Sequence, residues 1–153
     1  MPQSIQDLLP KLEVFEFLKE GDHDTLEKYM FRYEYDEGKY VFKEGAHGGY
    51  MFFVVEGEAE VTKLVKNKKV FIAKVTRGRS LGEMSLLDGH ARSASVRALT
   101  KLTLIVLKRE DFNSLLEEHP GVANRVVMGN AGLLSSSLRK TTQEFSEQTL
   151  SLC

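Results

Sequence analysis

Apolar positions along the chain change their period twice. Up to residue 31 they fall in short groups: Leu8-Leu9 ahead of Pro10, Val14-Phe15-Phe17-Leu18 closed by Gly21, and Asp24 to Tyr29 with Asp22 or Asp24 placed to cap. These groups predict short N-terminal helices over 1–31. From 32 to 108 the texture turns to short β-rich runs: Tyr40-Val41-Phe42, Met51 to Val55, Ala59 to Leu64, Val70 to Val75, Ala94 to Ala98 and Leu102 to Leu107. Turn signals separate them at Asp36-Glu37-Gly38, Glu44-Gly45, Gly48-Gly49, Glu56-Gly57 and Lys66-Asn67-Lys68-Lys69. Many short strands at close spacing predict a sandwich or barrel.

After Lys108 the helical period returns over 109–145. Asp111 is placed to cap a helix through Leu115-Leu116 that stops before Pro120, and a long helix follows from about Val122, with polar, frayed residues after Phe145. In that helix Val127, Ala131, Leu134, Leu138, Thr141 and Phe145 recur at alternating spacings of four and three. Such a seam is of the coiled-coil type and suits a partner helix, which makes a homodimer one expectation and packing on the chain's own β-region the other. Gly129, Gly132 and Ser135 to Ser137 lower helix propensity along it.

With 153 residues, 42% apolar and 28% charged, one globular domain accounts for the chain from 1 to 153. A net charge of −1 lacks the excess that sequence-independent nucleic-acid binding uses. No apolar run approaches a bilayer span, and the start carries no signal pattern, so a cytoplasmic protein without membrane or nucleic-acid partners is expected. The only cysteine is Cys153, and His23, His47, His90 and His119 are scattered, so neither a metal site nor a catalytic constellation is expected. No enzyme activity and no cofactor follow from these residues.

The stretch that carries chemistry runs from Ser80 to Val96. Gly82 permits a backbone that aims the amides of Glu83, Met84 and Ser85 at one point, where a phosphate can sit. Arg92 adds a planar cationic fork, and Ser93 a hydroxyl and an N–H. The Glu83 carboxylate can accept a hydrogen bond from a ribose 2′-hydroxyl while Arg92 offsets its charge. Read singly, Glu83 and Arg92 are a loop-closing ion pair and Gly82 a turn glycine; a sugar phosphate satisfies all three at once.

Gly82-Glu83-Met84-Ser85-Leu86 and Arg92-Ser93-Ala94-Ser95-Val96 resemble the phosphate-binding cassette of the cyclic-nucleotide-binding domain family. That family includes bacterial catabolite activator proteins, regulatory subunits of cyclic-AMP-dependent kinase and nucleotide-gated channels. Leu81 stands where the family has an aromatic, and Ala91 where it often has proline. Residues 37–45 and 52–61 resemble the family's early turn, strand and hairpin.

The resemblance implies a mainly β fold: an eight-stranded antiparallel jelly roll with N-terminal helices, a cassette at 80–96 and a long C-terminal helix. It implies a cyclic nucleotide ligand bound by Gly82, Glu83, Met84, Ser85, Arg92, Ser93 and Ala94. It places base contacts on the last helix, with Asn130, Leu134, Ser137 and Leu138 as candidates. Ser93 does not separate cyclic AMP from cyclic GMP; the bacterial look of the chain and the lack of another guanine-reading signal favour cyclic AMP. The implied role is a regulatory sensor in signalling, in which binding orders the 88–92 turn and rearranges the last helix toward an unidentified downstream protein. Two alternatives stay open: a degenerate interaction module without ligand, and a truncated transcription regulator of the catabolite-activator type. Nothing after Phe145 can form the helix-turn-helix that the latter needs.

Overall fold

The structure is a computed structural model that describes residues 4–81 and 91–152. Ser4 caps helix α1 (Ile5–Leu8), its hydroxyl accepting from the Asp7 amide. Two 3₁₀ turns follow, Leu9–Lys11 and Glu13–Phe15, and then α2 (Asp22–Glu27). Pro10 sits inside the first 3₁₀ turn, at a position where a missing amide costs no hydrogen bond. The capping expectation at α2 is corrected: Gly21, with φ of +90°, is the N-cap. Asp22 lies inside the helix and turns its carboxylate back to accept from the Lys19 amide at 2.7 Å.

Eight strands are described: β1 (Met30–Tyr35), β2 (Tyr40–Phe42), β3 (Tyr50–Glu56), β4 (Ala59–Val65), β5 (Lys68–Val75), β6 (Ser80–Leu81), β7 (Ser95–Ala98) and β8 (Leu102–Lys108). They form two four-stranded antiparallel sheets in the orders β1-β8-β3-β6 and β2-β7-β4-β5. This is the jelly roll. Each sheet takes strands far apart in sequence, so the register rests on side-chain burial more than on turns. The β4–β5 hairpin is the local exception: Val65 pairs with Lys68 across Lys66 and Asn67, both with positive φ, which is the two-residue turn whose twist suits a hairpin.

Strands β3 and β8 are buried on both faces, and alternation sorts their side chains into two cores. Phe52, Val54, Leu104 and Val106 point between the sheets. Met51, Phe53, Ile105 and Leu107 point the other way, where the N-terminal turns and the C-terminal helices cover them. Helix α3 (Arg109–Glu118) adds Phe112 and Leu115 to that second core, and α4 (Pro120–Leu152) adds Val122, Ala123 and Val126. Lys108 is the N-cap of α3, without a side-chain cap bond, and Asp111 lies in its first turn, where it complements the helix dipole rather than capping. Pro120 opens α4 at a position that needs no amide donor, and the helix runs on past Phe145 to Leu152.

Helix α4 holds to the rest through one narrow stripe. A Cβ on Gly129 would come within 1.7 Å of the Val14 carbonyl oxygen, so only glycine lets the helix lie this close to the 3₁₀ turn. Arg125 closes the contact with a bidentate pair to Asp22, at 2.6 Å from Nε and 2.9 Å from Nη2. No helix among the described residues is long and apolar enough to cross a membrane.

Candidate functional site

Arg92 lies in the second half of the cassette and is held by its backbone before its side chain does anything. Its amide donates to the Ala46 carbonyl at 2.9 Å, and its own carbonyl accepts from the Gly45 amide at 2.8 Å. Gly45 reaches this position with φ of +83°. Nearby, the Ser95 hydroxyl accepts from the Glu44 amide at 2.8 Å, and Lys63 Nζ donates to the Ser93 carbonyl at 2.7 Å. The turn at 43–46 is thereby fastened along the chain entering β7.

The Arg92 side chain is 4% exposed. Its guanidinium lies 4.2 Å from the centre of the Phe42 ring and 5.5 Å from that of Phe52, and Nη2 donates to the Tyr50 carbonyl at 2.7 Å. Aromatic faces stabilise a cation through their quadrupole, so the charge is held where water is largely excluded. Arg92 borders a cavity of about 330 Å³ whose other walls are Tyr33, Tyr35, Val41, Phe42, Ala46, His47, Tyr50, Phe52 and Val106. Burial first, and then the neighbouring Tyr33, push the Tyr35 phenol above its ordinary value, so it stays a neutral O–H. The arrangement is an apolar, aromatic recess with one fixed guanidinium, suited to a flat organic molecule bearing a single anionic group.

Of the ligand contacts expected from sequence, Arg92, Ser93 and Ala94 are described; Ser93 is exposed and Ala94 half-buried. Gly82, Glu83, Met84 and Ser85, and most of the 88–92 turn, lie outside the described residues. The four helical candidates do not share one place. Asn130 is buried and accepts from the Ser80 hydroxyl at 3.3 Å, which ties α4 to β6 at the start of the cassette. Ser137 borders a different cleft, beside Arg77, Arg79 and Lys140. Leu134 and Leu138 are exposed, and none of the four lines the Arg92 cavity.

The sequence reading had not picked out the walls Tyr33, Tyr35, Phe42, Tyr50 and Phe52. The signal was there: Tyr33 and Tyr35, and Tyr50 and Phe52, are spaced by two, so each pair faces one side of its strand. Among the described residues, no group of three His, Cys, Asp or Glu side chains converges to hold a metal ion.

Residues 32–119 match the family model of the cyclic nucleotide-binding domain. The chain is 28% identical over 125 residues to a cAMP-dependent protein kinase regulatory subunit of Mycosarcoma maydis, covering 78% of this chain and 24% of that protein. It is 32% identical over 132 residues to the cyclic AMP receptor protein of Thermus thermophilus, covering 86% of this chain and 59% of the relative. It therefore spans only a part of these relatives. A solved cyclic nucleotide-binding domain from Methylobacillus flagellatus superposes with a TM-score of 0.81 at 31% identity, covering 92% of this chain and 80% of that one. By the match over its β-roll and the fold it shares with a solved member, this chain belongs to the cyclic nucleotide-binding domain family.

Proposed function

We propose that the chain is a regulatory domain that takes up a cyclic nucleoside monophosphate, cyclic AMP in preference to cyclic GMP, with Arg92 on the cyclic phosphate. The observation that carries this reading is Arg92 itself: a guanidinium 4% exposed, gripped through both backbone groups and set at the edge of an aromatic recess. A buried guanidinium at the rim of an apolar recess complements a bound monoanion, whose oxygens match its planar fork. Gly82 and Glu83 precede it in sequence at the spacing the family uses, so the amides after Gly82 and the Glu83 carboxylate complete the cradle for phosphate and 2′-hydroxyl. Relatives named for cyclic AMP favour that base. The test is a thermal melt with cyclic AMP, cyclic GMP and linear AMP in parallel. Ligand at about 100 times its Kd adds roughly 2.7 kcal/mol, which for this length is roughly 5–10 °C. A rise with a cyclic nucleotide and none with AMP supports the reading; no rise with any of the three refutes it and leaves an interaction module.

The same reading assigns α4 the output. Asn130 joins it to Ser80, at the start of the cassette, so ligand bound there is felt by the helix. Its seam favours a second copy as partner: Val127 and Leu134 are each 37% exposed, Leu138 68% and Phe145 69%, while the stripe that packs on the rest of the chain is occupied as far as Leu133. Ligand-dependent slowing of amide exchange over 122–145 is the expected sign of coupling. Identical exchange with and without saturating ligand would disprove it.

A further inference from the structure

On the helix side of the β5–β6 turn lies a second cleft, of about 480 Å³, lined by Lys11, Glu13, Arg77, Gly78, Arg79, Leu133, Ser136, Ser137 and Lys140. Three separate parts of the chain supply it: the 3₁₀ turns, the β5–β6 connection and the middle of α4. Four cations face one carboxylate here, on a chain whose net charge is −1. No ion pair among the described residues joins any of the four to a carboxylate. Some surface cations elsewhere do pair, as Lys63 does with Glu44, Lys74 with Glu58 and Arg97 with Glu60; what sets these four apart is that they converge on one cleft. Four like charges with a single carboxylate among them repel one another, which a multivalent anion relieves.

We propose that this cleft is a second ligand site, for a small molecule carrying a chain of two or more phosphates. A volume within the usual range of small-molecule sites suits an ion of that size. Arginine forks and lysine ammonium groups are the side chains that bind phosphate oxygens, and the Ser136 and Ser137 hydroxyls can donate to them. A monoanion would leave most of the charge unanswered. A nucleic acid duplex needs an open basic face rather than a recess containing Glu13, and a lipid surface needs apolar anchors where the cleft offers Leu133 alone. The phosphate chain can come from an inorganic polyphosphate or from a nucleoside polyphosphate, whose sugar hydroxyls would suit Glu13. In either case the ligand bridges α4 to the β-roll at a point distinct from the Arg92 cavity.

The experiment is a titration of the isotopically labelled full chain with sodium tripolyphosphate and, separately, with ATP, followed by NMR. The expected result is saturable movement of the amide signals of 77–79 and 133–140 at submillimolar ligand, with affinity falling as salt rises. The double variant Arg77→Ala/Lys140→Ala should weaken it by at least about tenfold, while its cyclic nucleotide response matches the wild type. Equal affinity for both probes would identify the phosphate chain as the ligand; tighter ATP binding would identify the nucleoside form. No saturable shift at millimolar concentration, or shifts centred on Ala46 and Arg92 instead, would overturn the proposal. Since those two sets of signals are separate, failure here is distinguishable from failure of cyclic nucleotide binding.

Discussion

Two arginines in this chain do opposite work with the same fork. Arg92 is turned to an aromatic recess, and removing it as Arg92→Ala should cost about 2–5 kcal/mol in cyclic nucleotide binding, roughly 30-fold or more in Kd by calorimetry. Arg92→Lys keeps the charge without the plane and should recover only part of the loss; wild-type affinity in Arg92→Ala would remove the residue from the site. Arg125 instead spends its fork on Asp22. That contact, with the Lys19 amide, outweighs the opposing effect of burial and holds the Asp22 carboxyl below its ordinary value of 3.8. Stability from it is full above the unfolded-state value and is lost as pH falls through the lowered native one. Asp22→Asn should therefore lower the melting temperature at pH 7, and the gap to wild type should narrow once pH drops below about 4. Arg92 and Ser93 stand out as candidates in the sequence because a cassette is contiguous. The Asp22–Arg125 pair could not, because it links positions far apart in the chain that only the packed helix brings together.

At the scale of elements, two glycines in α4 make a matched experiment. Gly132 has open space where a Cβ would go, so Gly132→Ala should stabilise the protein by about 1 kcal/mol through helix propensity alone. Gly129→Ala receives the same gain but drives a methyl into the Val14 carbonyl, and should destabilise by about 1–3 kcal/mol in a urea melt. Both glycines lower propensity equally in the sequence; only the packing tells them apart. Strands with a strong apolar run, such as Met51 to Val55 and Leu102 to Leu107, were legible, as was the polar hairpin at Lys66-Asn67. Strand β1 was not, because Met30–Tyr35 alternates aromatic with charged residues and sits at a sheet edge, half open to solvent. Strand β6 has two residues, too few for any period. Strand β5 was found from Val70, Phe71 and Ile72, although all three are exposed.

Across the whole molecule, a sandwich or barrel with helical flanks was readable because strand runs, turn signals and the change to helical spacing agree, and the resemblance of the cassette narrowed it to a jelly roll. The placing of the helical candidates was not, since a seam of period three and four fixes a face but not what that face meets. If the seam pairs two copies, light scattering should give twice the 17.3 kDa chain mass, and Leu138→Glu/Phe145→Glu should return it to one with the cyclic nucleotide response kept. A monomer at all working concentrations would exclude self-association. The anchored stripe of α4 ends near Leu133, and every described side chain from Leu134 onward is exposed except that the backbone helix continues to Leu152. At 1.5 Å per residue, that is a rigid arm of about 28 Å beyond its last foothold. A tilt of about 10° at Asn130 would swing the far end by about 5 Å. If α4 is coupled to the cassette as proposed, Gly129 and Asn130 are its fulcrum, and a small event beside Ser80 becomes a displacement large enough to change which surface the tip can touch.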